Sequence, residues 1–310
     1  MSLNHPDSPR HVAVFHGGFS GEREVSLRSG KAVIEALRSE GLDVTPVDIV
    51  DRSWTLPDGV DVVFLALHGG YGEDGSIQFE LEQRGIPFTG CDSRSSAIAF
   101  DKSRSKPFFE KAGLCVPRGG VLDSPDSSLP ESMSFPVVIK PVADGSSLGL
   151  EFVDEASHWP DALRRSLAAA PAVLVEERII GPEYTVGILE GWTLPLIEII
   201  PAAGGYNYQN KYTQGGATHV LHQLSANPRF NLIHQAGQKA FDALGCRHYG
   251  RVDVIDCPHR GPVVLEVNTL PGMTELSLFP EAAQGAGLGF SALCLHMVSL
   301  AWNASTQQNS

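Results

Sequence analysis

Apolar and polar positions change rhythm twice along the chain, and each rhythm predicts a different kind of unit. The first runs from His11 to Gly90. His11–His16 is a compact apolar run of strand length, followed by an amphipathic stretch with Val25, Leu27, Val33, Ile34 and Leu37 at helical spacing. Val44–Ile49 and Val60–Leu67 are two further strand-length runs, and Ile86–Gly90 reads as the last strand. Buried strands alternating with helices predict a parallel α/β unit, whose ligands collect at the carboxyl ends of its strands. Glycine-rich turns stand at two such ends, Gly17–Gly21 and His68–Gly75.

The second rhythm starts with a helical stretch over Ser95–Ala112 that carries Lys102. A polar, proline-containing segment at 123–134 reads as a surface loop. Then come a strand at Phe135–Lys140, a Gly/Ser turn, a strand through Phe152, a helix near Asp161–Ala169 and a strand at Val173–Glu176. The third begins at Glu183, with strands extending through Ile199. Residues 203–216 are rich in Gly, Tyr, Asn and Gln and have no apolar period; loops of that length are usually mobile or functional. A helix near Asn231–Leu244, two strands within Tyr249–Thr274, the stretch Glu281–Gly285 and a helix at Phe290–Trp302 complete the chain. The predicted division is a frayed leader at 1–10 and units at 11–92, 93–175 and 176–310.

The stretch 249–274 is the richest in chemistry. Val252, Val254 and Ile255 form one strand and Val263–Val267 the next, with a Cys-Pro-His-Arg-Gly turn between them. Strand alternation puts Arg251 and Asp253 on one face, and Glu266 and Asn268 on one face of the partner. Two carboxylates and an amide oxygen are hard ligands of the kind that hold Mg²⁺ beside phosphates. A solvated edge hairpin would account for Asp253 alone. It accounts poorly for the full set, because apolar neighbours imply a buried sheet in which unpaired carboxylates are costly.

Composition narrows the function classes. Net charge is −13, with 42% hydrophobic and 19% charged residues, which argues against nucleic acid or a membrane surface as partner. Five cysteines without paired spacing suit a reducing cytoplasm better than a disulfide framework. The turn His16–Gly21 lacks the GxGxxG dinucleotide pattern, and by position alone Glu22 and Glu24 read as ordinary first-turn residues. Lys140, at a strand end before a Gly/Ser turn, suits a phosphate.

Taken in order, GEREVSL (21–27), LHGGYGEDG (67–75), FDK (100–102), VIKP (138–141), DGSSLG, GPEYTV, KY (211–212), GRVDV and LEVNTLPGMT with Ser277-Leu278 resemble the D-alanine–D-alanine ligase family of ATP-grasp enzymes. The resemblance spans about His11 to Trp302. It implies a three-domain ATP-grasp fold of the α/β class (α+β in the ATP-binding part), with an N-terminal parallel α/β domain. ATP is the implied substrate, with two Mg²⁺ (or Mn²⁺), D-alanine as the amino acid, and a homodimer as the assembly. Lys102 and Lys140 would contact ATP phosphates, and Ser146 and Ser147 would lie on a loop over them. Glu176 would face the adenine, Glu183 the ribose, and Glu177 would meet the nucleotide mainly through its backbone. Asp253, Glu266 and Asn268 would hold the metals. Glu22 would bind the first ammonium with His68 nearby. Arg251 and the Gly272 N–H would stabilise the oxyanion, and Lys211, Ser277 and Leu278 would receive the second carboxylate. Tyr212, Ser146 and Glu22 would close the loop over the site.

Two other classes compete: an ATP-grasp ligase that takes a D-hydroxy acid second, and a non-catalytic ATP-binding regulator. By the resemblance, Tyr212 favours dipeptide over depsipeptide formation. A mere ATP binder would need neither Glu22 nor Arg251. Three places depart from the family pattern, one being the loop after Tyr212 (TQGGATH, 213–219), which is shorter and more glycine-rich than in some relatives. Glu177 stands where many relatives carry Lys, and Leu270 where a small or polar residue is common.

Overall fold

The computed structural model describes residues 8–143, 149–201, 217–274 and 277–308. Three sheets organise them. In the first, β1 (His11–Gly17) lies between β2 (Asp43–Ile49) and β3 (Val62–Leu65), parallel to both. The predicted strand at Ile86–Gly90 is reduced to one parallel bridge, Val63 to Phe88. Helix α1 (Arg23–Ser39) packs Val33 and Leu37 onto β1. Just ahead of β1, Arg10 donates its backbone N–H to Asp61 Oδ2 at 2.8 Å.

After β3 the chain forms the short helix α2 (Gly70–Glu73), inside the glycine-rich stretch read as a turn, and α3 (Ser76–Gln83), where no element was predicted. The single helix expected over 95–112 is two, α4 (Ser93–Phe100) and α5 (Lys102–Lys111). Asp101 sits extended between them, and its carboxylate accepts the Ser103 and Arg104 N–H groups as the cap of α5. Both helices bury Ile98 and Phe109 with Val186, Val252 and Phe241 of the C-terminal sheet, so by packing they belong to that body.

The central sheet has the order β4 (Gly119–Leu122), β7 (Val173–Glu177), β5 (Val137–Pro141), β6 (Glu151–Val153) and is covered by α6 (Trp159–Ala169). Its core is separate, built on Val137, Ile139, Val153, Leu163, Val173 and Val175. The C-terminal sheet is antiparallel throughout. Its order is β10 (Ala217–His222), β9 (Trp192–Pro201), β8 (Glu183–Leu189), β11 (Tyr249–Cys257), β12 (Gly261–Asn268), and α7 (Pro228–Ala243) covers it. The last helices, α8 (Leu278–Gly285) and α9 (Phe290–Gln308), return to the start of the chain, where Leu293, Met297 and Val298 share a core with Val12, Val14 and Leu37. Among the described residues no single helix is long and apolar enough to cross a membrane.

Candidate active site

The β11–β12 hairpin forms as the alternation predicted. Asp253 faces Glu266 and Arg251 faces Asn268 across the ladder, with a bulge following Asp253. Arg251 and Asp253 are buried together. The guanidinium Nε and Nη2 donate to Asp253 Oδ1 and Oδ2 at 3.0 and 2.9 Å, a two-pronged pair, and Thr185 Oγ1 donates to Oδ1 at 2.8 Å. Glu266 Oε2 lies 3.2 Å from Lys102 Nζ. Asn268 Oδ1 accepts the Leu270 N–H at 3.0 Å.

These donors fit a magnesium site in chemistry. Two carboxylates and one amide oxygen leave most of the coordination shell to phosphate and water, as Mg²⁺ usually requires. Among the described residues no cluster of three or more His, Cys, Asp or Glu is poised for a metal, so the amide oxygen is needed to complete the set. Two cations, Lys102 and Arg251, hold the carboxylates' charge in place.

A small cavity beside the hairpin is lined by Glu266, Asn268, Thr269, Phe100 and Lys102, and by Glu73 from α2. Glu73 is the first functional candidate that sequence reading passed over. Its carboxylate accepts the Gly69 N–H at 2.5 Å and is buried; burial, reinforced by the charge of Glu22, pushes it well above the usual carboxylate range. The signal was in the GYGED motif, but an acid among glycines reads as a solvated turn.

Glu22 stands immediately before α1 and is 6% exposed. Its backbone N–H donates to Ser20 Oγ at 3.2 Å, while Ser20 Oγ–H donates to the His68 carbonyl at 2.7 Å. The two glycine-rich turns are thereby joined. Gly69 has φ +68°, and a Cβ there would lie 2.6 Å from Glu22 Oε2, so glycine lets the second turn close on the carboxylate. The buried His68 ring meets Ser29 Oγ at 3.1 Å and the Leu270 backbone; burial lowers its pKa to about 4, leaving it neutral. Ser29 also accepts the Met273 N–H at 3.2 Å. Leu270 thus acquires a role. Its backbone holds His68 and Asn268, while its side chain joins Leu67, Tyr71 and Phe88 in the N-terminal core. A small residue there would forfeit that packing.

Past Leu270 the chain folds back on itself. Ser277 Oγ accepts the Thr274 N–H at 3.0 Å, and a Cβ on Gly272 would come within 2.8 Å of that oxygen. Ser277 and the buried Leu278 begin α8, whose positive end favours an anion.

On the opposite side α5 and the central sheet supply cations. The Lys102 N–H donates to the Val142 carbonyl at 3.0 Å, drawing the start of α5 toward the end of β5 where Lys140 stands. Lys140 Nζ lies 2.7 Å from Glu176 Oε2, and Lys106 Nζ lies 2.6 Å from Glu176 Oε1. Burial alone would raise Glu176, but Lys140 and then Lys106 pull it below the ordinary carboxylate value. Lys106 is the second residue sequence reading missed; its signal was a helical i, i+4 spacing from Lys102. Glu183 opens β8, paired with Ile255 of β11.

Glu177 is engaged through both its backbone N–H and its side chain. Its N–H donates to the Arg118 carbonyl at 2.8 Å rather than standing open to a ligand. Its carboxylate accepts Arg118 Nε and Nη2 at 3.1 and 2.9 Å and also pairs with Arg260 from the β11–β12 turn. Burial would raise its pKa, but the two arginines hold it down to about 2. The side chain ties Arg118, ahead of the central sheet, to Arg260 of the β11–β12 turn. Ser146, Ser147, Lys211, Tyr212 and residues 1–7 of the leader lie outside the described residues.

A central and a C-terminal sheet linked through lysines and paired carboxylates, with an α/β unit bringing Glu22 and His68 near the same charges, define an ATP-grasp ligase architecture. Comparisons carry this to a family. The profile described as D-ala D-ala ligase C-terminus matches residues 121–299, and its N-terminal counterpart matches 11–59 and 55–91. The D-alanine–D-alanine ligase of Methylacidiphilum infernorum is 44% identical over 302 residues, covering 96% of this chain and 99% of that one. That of Desulforudis audaxviator is 41% identical, covering 94% and 98%. A crystal structure of a D-alanine–D-alanine ligase from Bacillus anthracis complexed with ATP superposes with a TM-score of 0.83 at 29% identity, covering 96% and 99%. A D-Ala:D-Ser ligase from Enterococcus faecalis gives 0.79 at 30%, covering 95% and 100%. The chain belongs to the D-alanine–D-alanine ligase family.

Proposed function

We propose that the protein joins two D-alanines into D-alanyl-D-alanine with ATP, through a D-alanyl phosphate, and so supplies peptidoglycan precursor synthesis. The observation that carries this reading is the meeting of three charge sets at one hairpin. Oxygen donors and an arginine lie on β11–β12, lysines come from α5 and β5, and a buried carboxylate, Glu22, comes from the N-terminal turns. A carboxylate is a poor acyl donor, so its oxygen must first become a leaving group. In the first step that oxygen attacks the γ-phosphorus of ATP and ADP departs. In the second, the amine of the other D-alanine attacks the acyl carbonyl, and the tetrahedral intermediate collapses to release phosphate.

Each group has a task in this scheme. Glu22 holds the first ammonium, with neutral His68 and Ser29 shaping that end. Lys102 and Lys140 neutralise phosphate charge, a positional and electrostatic role. Asp253, Glu266 and Asn268 would hold Mg²⁺, which when bound screens the transferring phosphoryl group. Arg251 and the Gly272 N–H face the oxyanion, a contact typically worth about 3–4 kcal/mol. Ser277 and the start of α8 receive the second carboxylate. Glu176 and Glu183 face the adenosine. We further propose a homodimer acting in the cytoplasm, where ATP is available.

The test supplies ATP, Mg²⁺ and D-alanine and follows phosphate and dipeptide together. Dipeptide formed in step with phosphate is expected. Phosphate release indifferent to D-alanine, with no dipeptide, would overturn the reading. D-Lactate and D-serine as competitors report the choice of second substrate.

A further inference from the structure

Glu176 is 3% exposed and carries one ammonium on each oxygen, Lys140 on Oε2 and Lys106 on Oε1. The two lysines are not equivalent. Lys140 lies at the end of β5 and also feels the charge of Glu266 across the site, so it faces the region where phosphates would lie. Lys106 is one turn beyond Lys102 on α5, and its other contact is the Pro117 carbonyl at 2.5 Å, in the backbone leading into the central sheet. Both of its contacts are therefore with the protein frame.

Lys140 is held by Glu176 and Lys102 by Glu266, so both lysines read as phosphate contacts are paired with carboxylates of the site. A triphosphate drawing Lys140 away takes one of the two counter-ions of Glu176. A carboxylate buried this deeply cannot stay ionised without a partner. We propose that Lys106 is a positioning residue for the nucleotide: it keeps Glu176 ionised and aimed at the base while Lys140 exchanges Glu176 for the phosphates. The proposal rests on the reading of Glu176 as the adenine-facing group and Lys140 as a phosphate ligand. Lys102 and Lys106, four residues apart on one helix face, then divide the work, Lys102 toward the metal hairpin and Lys106 toward the base.

The test compares Lys106→Met, Lys106→Arg, Glu176→Gln and the double variant Lys106→Met/Glu176→Gln, each first confirmed folded by its melting curve. Lys106→Met is expected to raise KM for ATP roughly 10- to 100-fold, the loss of one charge-assisted contact. Its kcat at saturating ATP and its KM for D-alanine should stay near those of the parent. Lys106→Arg should recover most of the ATP affinity. Discrimination between ATP and ITP should fall in Lys106→Met, because an ionised Glu176 accepts from the amine of adenine and repels the carbonyl of hypoxanthine. The double variant should be no worse than Glu176→Gln alone.

Should Lys106→Met not fold, Lys106→Gln takes its place in every arm. If Glu176→Gln changes neither KM for ATP nor the ATP/ITP ratio, the reading of the nucleotide end is wrong and the inference falls with it. If Glu176→Gln raises KM for ATP but the Lys106 variants do not, the inference alone is overturned. Losses in kcat and in both KM values alike, additive with Glu176→Gln and not restored by Arg, would show a structural role only.

Discussion

At the end of the site that the proposal assigns to the amino acid, polar groups are held by hydrogen bonds to backbone and hydroxyls, and burial sets their protonation. His68 is neutral between Ser29 and the Leu270 backbone, and the Glu73 carboxyl is pushed upward. At the end the proposal assigns to the nucleotide, charged side chains are paired with one another: Lys102 with Glu266, Lys140 and Lys106 with Glu176, Arg251 with Asp253. The first end has its shape before any ligand arrives. The second holds its charges in ion pairs, which under the proposed function exchange partners when ATP binds. Buried ion pairs tolerate such exchange only when every charge keeps a partner throughout.

The largest effect should come from the hairpin, where both ends meet. Glu266→Gln and Asp253→Asn are expected to lower turnover by about 10³-fold or more, as loss of metal-assisted phosphoryl transfer would. Circular dichroism and melting should stay close to the parent. A folded Glu266→Gln with near-normal turnover would erase the distinction between the ends. Arg251→Met should cost about 10²–10³-fold in kcat, the scale of a lost oxyanion donor. Unchanged kcat would remove Arg251 from the chemistry.

Glu22→Gln tests whether the amino-acid end works independently. KM for the first D-alanine should rise about 10- to 100-fold, while KM for ATP stays unchanged. Parallel increases in both would mean that the ends are coupled. Acid sensitivity is a further measure. His68 has its folded-state pKa lowered from 6.5 to about 4, so between those values the unfolded chain binds the proton more readily. Stability present above pH 6.5 is therefore lost as pH falls through this window, by up to about 3 kcal/mol from this group. His248 is lowered in the same way, so the informative measurement is the difference in melting temperature between parent and His68→Asn across pH 4–7. Parallel curves would show that His68 is not the group responsible. The smallest effect belongs to Glu177→Gln. Its Arg118 partner is 82% exposed, so KM for ATP should rise only about two- to three-fold, and less in high salt. A tenfold rise would reinstate Glu177 as a nucleotide ligand.

How far the sequence revealed this division follows from the same physics. The hairpin was legible because strand alternation dictates which residues share a face, and Asp253, Glu266 and Asn268 obey it. The helices after β3 were not, because Gly70, Gly72 and Gly75 mask a helical pattern that tertiary packing of Tyr71 and Ile77 enforces. The break at Asp101 was hidden as well: a capping aspartate between two helices leaves the apolar period unbroken. Lys106 and Glu73 could not be recognised individually, since a charge reads as solvated until its burial is known. Glu177 was noticed as unusual, but only the geometry showed that its side chain turns to Arg118 and Arg260.

That tie has a topological consequence. The chain enters the central sheet at Gly119 and leaves it at Glu177, and these two crossings are neighbours: Gly119 pairs with Glu176, and the Glu177 N–H reaches the Arg118 carbonyl. The central unit is therefore a module plugged into the rest of the molecule through a two-stranded neck, with its own core and no other covalent route. The strand orders of the other two sheets include none of its four strands, so neither sheet depends on it for its sequence of pairings.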